Sequence, residues 1–515
     1  MTATPARPER PTALDVTAAA AGTPPVPTGS RRRRLDLLRR NPWAVWAVGA
    51  GVYLLAVFHR MSLGVAGPLA TTRLDLSAAA LGTFVMLQLG VYAAMQVPSG
   101  VLIDRYGPRR MLLTAALIMG SAQVLLSLAH NYPTALVARG LLGCGDAMTY
   151  VSVLRLATGW FPPRRYPVMA ALTGLIGMLG NLVSTVPLTF LLEHLGWTAT
   201  FAAAGAVTLG FSVLLLRPAG PAPYRPTGAP RPRPSARQVR SDVVATWRLP
   251  AERMALWTHL CTMAGPTAFA ALWGFPYLTQ ALGYTPGVAS SMLLIYVLVG
   301  VCASLGQGPL LARRPQIRGG LAASIAAVCL LGWVTLIAWP GGTPPVAVVV
   351  VVIVIFGVGG PISGVGFLVA RDYNPAHRIS TATGMVNVGG FTGAVIMVLA
   401  IGQILDVVEP GAGTHSAHAY RWAFAAVALV TAFGLFRMLV WLRRTRAGLL
   451  VAMARGEDIP VPITPHRWDR VHALDPELIA AERDRQHAVR RLAGSGPTGA
   501  NPSTEPGTPG GTDHS

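Results

Sequence analysis

The chain has 515 residues, 52% of them hydrophobic and 12% charged, with a formal net charge of +21 and a mean hydropathy of +0.48. Soluble domains carry about 25% charged residues, and one core cannot hide this much apolar surface, which excludes a soluble globular protein. The basic residues are all arginine and lie between apolar stretches and in the tails, which suits membrane topology signals and argues against a nucleic-acid partner.

Residues 1–41 are rich in Pro, Thr, Ala and Arg and end in the basic run Arg31 to Arg34, then Arg39 and Arg40. That composition cannot bury a core, so a disordered cytoplasmic tail with a basic membrane anchor is expected. Ser30-Arg31-Arg32 also fits the start of a twin-arginine signal, but the next apolar stretch is too long for one and many more come after it.

Apolar segments run at 43–70, 77–103, 110–130, 133–160, 167–192 and 197–216, and again at 253–282, 287–312, 319–340, 344–371, 379–407 and 420–442. Each can cross about 30 Å of hydrocarbon at about 1.5 Å per residue, which predicts an all-α integral membrane protein of twelve transmembrane helices. The Val- and Gly-rich segment at 344–371 has strand-like propensity, but in lipid a lone segment must satisfy its own backbone, so helix is expected there too. Alternate loops carry the arginines: Arg105, Arg109 and Arg110; Arg164 and Arg165; Arg313, Arg314 and Arg318; Arg371 and Arg378; Arg443, Arg444 and Arg446. The intervening loops carry almost none. This positive-inside alternation requires an even count, with both termini cytoplasmic and the chain multi-pass in the cell membrane.

A Pro- and Arg-rich linker at 217–252 divides the chain into two six-helix portions, 42–216 and 253–445. The tail at 446–515 is expected to be cytoplasmic, helical near 474–492 and disordered at its Gly/Pro/Thr-rich end. Cys144, Cys261, Cys302 and Cys329 all lie in apolar segments without metal spacing. No metal, cofactor or nucleophile–base pair is indicated, so the chain reads as a non-enzyme; a monomer is expected.

The sharpest motif is Gly100-Val101-Leu102-Ile103-Asp104-Arg105-Tyr106-Gly107-Pro108-Arg109-Arg110, between the second and third segments. Gly100 permits close helix approach, Gly107 a tight turn, and Asp104 can accept from helix N-terminal amides or an arginine, clamping the two portions together. Here the chain resembles the major facilitator superfamily of transporters. The resemblance implies two pseudo-symmetric six-helix bundles, alternating access, and a gating role for Gly100, Asp104, Arg105, Gly107, Arg109 and Arg110. A weaker copy, Gly308 to Arg314, has Ala312 where the acid would stand. The fourth segment's Arg139-Gly140-Leu141-Leu142-Gly143-Cys144-Gly145-Asp146 is similar to the family's fourth-helix motif, with Arg139 and Gly143 in place and an aspartate where a small residue is usual.

Asp146 is the one acid placed deep in a segment, which makes it a candidate for proton coupling or for binding a substrate amine; the alternative is a packing ion pair with an arginine. Arg60, in the aromatic first segment, is similar to the substrate-gripping arginine of the organic-anion and sugar-phosphate branches. His59 points about 100° away and reads as packing. Two departures stand against particular cargoes. The seventh segment offers His259 where organophosphate carriers have a second arginine. Nitrate carriers share glycine-rich fifth and eleventh segments but need arginines where this chain has Gln88, Gln96 and Gln307.

By resemblance the first, fourth, seventh and tenth segments line the cavity, with Arg60 and Asp146 near mid-membrane and offset in depth by roughly 8 Å. Tyr53, Tyr277 and Asn387 are further candidate substrate ligands, and Trp273 and Tyr296 weaker ones. The expected activity is secondary transport of a small organic anion or zwitterion, coupled to protons. The alternatives are drug or metabolite efflux by proton antiport, and a transporter-like membrane sensor.

Overall fold

The computed structural model describes residues 41–74, 78–184, 186–216, 222–224, 235–410 and 414–463. Of the expected tails at 1–41 and 446–515, residues 1–40 and 464–515, including the helix near 474–492, lie outside the described residues. Helix dominates the rest. In chain order the helices are α1 (Pro42–Leu74), α2 (Ala78–Tyr106), α3 (Pro108–Leu128), α4 (Tyr132–Ala147), α5 (Thr149–Trp160), α6 (Tyr166–Val183) and α7 (Val186–Leu216). They continue as α8 (Ala236–Arg248), α9 (Pro250–Ala268), α10 (Pro286–Arg313), α11 (Arg318–Ala338), α12 (Val346–Ile362), α13 (Val365–Tyr373), α14 (Ile379–Val408) and α15 (Ala417–Ala454).

Among the described residues, ten helical runs are long and apolar enough to cross a membrane. The expected fourth and seventh segments are helical too, but in pieces. The fourth is α4 and α5, joined at Met148 with near-helical angles of φ −84 and ψ −14. The seventh is α9, extended by two π-helical turns, Phe269–Trp273 and Tyr277–Ala281, that flank Gly274–Pro276. Pro266 and Pro276 each remove a backbone donor in this stretch, which opens the ladder and accounts for the wider turns. Gly196, at φ 70, breaks α7, so 186–195 prolongs the fifth segment and 197–216 forms the sixth.

Short side-chain caps and prolines fix where helices begin. Asn131 accepts from the Thr134 amide at 2.9 Å ahead of α4, and Thr285 caps α10 immediately before Pro286. Two boundaries differ from expectation. The linker contains an amphipathic helix, α8, which its proline content obscured, and the last helix runs to Ala454 instead of ending near 442.

The two parts of the chain meet along α2 and α14. Glycine makes this possible. A Cβ on Gly100 would stand 2.4 Å from the Ser380 carbonyl oxygen, and one on Gly384 would stand 2.3 Å from that of Gln96. The backbones therefore touch with no side chain between them. Beside this seam Ser99 is fully buried. Gly384→Val is expected to wedge the two helices apart. A cysteine at Ser99 should then react about tenfold faster or more with a membrane-impermeant thiol reagent than in the parent protein; equal rates would show that the seam does not depend on Gly384.

Candidate functional site

Arg60 on α1 and Asp146 at the end of α4 form a bidentate ion pair, Nε to Oδ2 and Nη2 to Oδ1, both at 2.7 Å. Both side chains are nearly sealed from solvent, at 9% and 2% exposure. The roughly 8 Å depth offset expected from segment boundaries is closed. An arginine side chain can reach across that distance, and an unpaired charge at this depth is costly enough to drive it there.

The groups around the pair come from both parts of the chain. The Arg60 guanidinium lies 4.5 Å from the Tyr92 ring centre and 5.3 Å from that of Phe391, so aromatic faces from α2 and α14 cover it. Asn387 on α14 donates to the Tyr92 hydroxyl at 3.0 Å and to Gln96 Oε1 at 2.7 Å, both on α2. Behind the pair, fully buried Arg139 donates to the backbone carbonyls of His59 at 3.1 Å and Arg60 at 3.3 Å. Arg139 thus fixes the backbone that presents Arg60, while Thr149 donates to the Asp146 carbonyl at 2.8 Å and steadies the α4–α5 break. Two arginines and one carboxylate leave this cluster with an excess positive charge.

An aromatic ladder runs past the pair. Tyr53 and Tyr150 have ring centres 5.2 Å apart, Tyr150 and Phe367 5.1 Å, and Phe367 and His259 4.7 Å. It links α1 and α5 to α13 and α9, which are the first, fourth, tenth and seventh segments. The His259 ring nitrogens make no hydrogen bond of good geometry. A mixed polar and aromatic site of this kind can grip a small anion at Arg60 and hold an organic body against the rings.

Not every expected residue arrives here. Tyr53 and Asn387 do. Tyr277 does not: it is buried in a separate aromatic cluster, 5.3 Å from Tyr420 and 4.9 Å from Phe424 between ring centres. The π-helical turn Phe269–Trp273 precedes it and changes its rotation about the axis relative to an unbroken helix. Trp273 donates its indole N–H to the Val398 carbonyl at 3.0 Å, which makes it a packing residue; Tyr296 lies beside Gly357 and Gly360, away from the pair. Gly143 serves close packing, since a Cβ there would stand 2.6 Å from the Gln88 carbonyl oxygen. His59 turns away as its position implies and pairs with Thr208 at 2.8 Å. Tyr92, Tyr150, Phe367 and Phe391 were not marked by sequence; aromatic residues in apolar segments carry no signal until the helices are assembled.

At the end of the bundle that carries the Gly100–Arg110 motif, Asp104 accepts from the Ser380 amide at 3.1 Å, the Thr381 amide at 2.8 Å and the Thr381 hydroxyl at 2.9 Å. It therefore caps the N-terminus of α14 across the seam, with Arg155 Nε 3.7 Å away. Arg109 donates to the Leu215 and Leu216 carbonyls at 2.8 and 2.7 Å, capping the end of α7, and Gly107 takes φ 87 in the turn. Arg105 lies over the Tyr106 ring at 5.1 Å, and the Arg110 carbonyl accepts from Thr114. In the second part of the chain, where Ala312 replaces the acid, Asp372 pairs with Arg318 and Arg371 instead.

Removing one partner of the buried pair leaves the other charge uncompensated, at a cost of about 3–5 kcal/mol. Asp146→Leu alone is expected to lower the melting temperature in detergent sharply. Arg60→Met combined with Asp146→Leu should recover most of the loss. Additive losses in the double variant would contradict the pairing.

The family model described as the Major Facilitator Superfamily matches residues 49–397. The probable sulfoacetate transporter SauU of Cupriavidus necator is 29% identical over 163 residues, a match that spans 32% of this chain and only 38% of that protein. The probable nitrate/nitrite transporter NarK2 of Mycobacterium tuberculosis is 27% identical over 362 residues, 69% of this chain and 88% of that one. Among solved structures, the proton:xylose symporter XylE bound to 6-bromo-6-deoxy-D-glucose aligns with a TM-score of 0.58 at 14% identity, over 77% of this chain and 95% of that one; at that identity the likeness concerns the fold alone.

Proposed function

The chain belongs to the major facilitator superfamily and is a multi-pass membrane transporter, not an enzyme, and we propose that it carries a small organic anion together with a proton. The observation that carries this reading is the closed, bidentate Arg60–Asp146 pair. Asp146 occupies the two donors of Arg60 that a substrate carboxylate or sulfonate would use. Protonating Asp146 removes its charge and frees the guanidinium fork. An entering anion then takes the vacated position, and the cluster keeps its net charge. Proton and anion thus load together because neither exchange leaves an unpaired charge in the membrane. When the anion leaves, Asp146 gives up its proton and closes again on Arg60.

The positive excess contributed by Arg139 favours an anion over a cation at this site. The Tyr53–Tyr150–Phe367 ladder beside it provides contact area for an organic body. The cargoes named for the two relatives, sulfoacetate for one and nitrate or nitrite for the other, fall in the same charge class. A bare nitrate fits less well, because Gln88 and Gln96 stand where nitrate carriers place an arginine and would offer only neutral amides. In this reading the chain is a monomer, and residues 42–216 and 253–445 are the two six-helix units that rock about the site. The motif end, with Asp104 and both termini, faces the cytoplasm of the cell membrane.

The test is transport by purified protein in liposomes loaded with mixed carboxylates and sulfonates. Arg60→Gln should abolish both uptake and exchange. Asp146→Asn, which keeps the shape and loses the titrating group, should retain anion exchange but lose acceleration by an inward proton gradient. Gradient-driven uptake that survives in Asp146→Asn would exclude coupling at this residue; uptake unaffected by Arg60→Gln would exclude the anion site.

A further inference from the structure

At the motif end of the bundle, α8 lies against the seam and leaves a groove of about 490 Å³ between them. Its walls are apolar and come from both parts of the chain: Val97 on α2, Val244 on α8, Leu256 on α9, and Met385 and Val388 on α14. Arg248 and Arg253 stand at its rim with Trp247, which is 43% exposed. A tryptophan and arginines flanking an apolar channel at one end of a membrane bundle have the chemistry of the lipid–water interface.

Among the described residues, no acid pairs with the arginines at this rim. The Arg253 guanidinium lies 5.3 Å from the Trp247 ring and 4.6 Å from the Trp441 ring, and its Nε donates to the Trp247 carbonyl at 2.9 Å. Arg437 and Arg444 also lie over Trp441, at 5.7 and 4.7 Å. Among the described residues, none of Arg248, Arg253, Arg437 and Arg444 makes an ion pair. The nearby acids are engaged elsewhere: Glu252 is fully buried and accepts from Asn374, and Asp242 faces Gln238 and His377. Two arginines lining an apolar groove, with two more on the Trp441 ring that Arg253 also covers, call for a ligand with a negative head and a hydrocarbon tail.

We propose that this groove binds one anionic phospholipid, with its phosphate on Arg248 and Arg253 and an acyl chain along Val97, Leu256, Met385 and Val388. The groove exists only while the seam is closed, because opening α2 from α14 separates Val97 from Met385 and Val388. The bound lipid therefore favours the conformation closed at this end, and anionic lipid content sets how readily the transporter opens there. This site is separate from Arg60 and Asp146 and does not depend on the identity of the cargo.

The experiment is native mass spectrometry of the full chain released from nanodiscs that contain equal amounts of phosphatidylglycerol and phosphatidylcholine. Phosphatidylglycerol should be retained in preference by about tenfold or more. That preference should fall to near parity in Arg248→Gln and in Arg248→Gln/Arg253→Gln. The first variant changes an exposed side chain and serves if the second fails to fold. Val388→Trp, which fills the groove, should reduce retention of either lipid. Equal retention of the two lipids by the parent chain, or an unchanged preference in Arg248→Gln, would overturn the proposal. So would displacement of phosphatidylglycerol by glycerol 3-phosphate at similar concentration, which would mean a phosphate site without a tail.

Discussion

A carboxylate in the interior of a membrane bundle is tolerable only in company, and Asp146 keeps company with Arg60. Because either charge alone would be costly, any event that takes one partner away must supply a replacement. In the proposed mechanism that constraint turns a packing contact into a coupling device. A proton can replace Arg60 for Asp146, and an anion can replace Asp146 for Arg60, but the two replacements must occur together. The surrounding structure serves this exchange. Arg139 holds the backbone behind Arg60, Tyr92 and Phe391 cover the guanidinium, and the Tyr53–Tyr150–Phe367 ladder extends the site toward the second part of the chain.

The same two helices that cover the pair also close the bundle. On α2, Tyr92 and Gln96 take the Asn387 amide, Gly100 meets Ser380 and Thr381, and Asp104 caps α14. The contact between these two helices therefore runs from the residues beside Arg60 to the Asp104 cap. A ligand that moves Tyr92 or Phe391 shifts elements that end, three turns away, at the Asp104 cap. The apolar groove under α8 is built on that same seam, so the proposed lipid at the end of the bundle and the proposed cargo in its middle would act on one contact.

Much of this was legible in the chain, and for identifiable reasons. Segment length and arginine alternation report backbone satisfaction in lipid and topology, which are properties of composition. The Gly100–Arg110 motif was legible because its residues act through backbone chemistry: a positive φ at Gly107, close approach at Gly100 and amide capping by Asp104. Arg60 and Asp146 stood out as charges in apolar segments, and an ion pair of Asp146 with an arginine was one expectation, but Arg60 was not identified as the partner, since depth counted along helices ignores the reach of an arginine side chain. Tyr277 stands apart from Arg60 because the π-helical turn Phe269–Trp273 ahead of it changes the rotation of the helix about its axis, and nothing in local hydropathy marks such a turn. Tyr92, Tyr150, Phe367 and Phe391 were invisible for the opposite reason: an aromatic residue in an apolar segment is ordinary until the assembled helices give it a neighbour. α8 was masked by the prolines around it.

Coupling at the Arg60–Asp146 pair requires that anion binding and protonation be one event. The direct measurement is calorimetric titration of a transported anion into purified protein, in buffers of differing ionisation enthalpy, so that proton uptake is read from the buffer dependence of the heat. Uptake of about one proton per anion bound, vanishing in Asp146→Asn with binding retained, is the expected result. Binding to the parent protein with no proton uptake would show that Asp146 stays ionised when the anion arrives, and the exchange at Arg60 would be wrong.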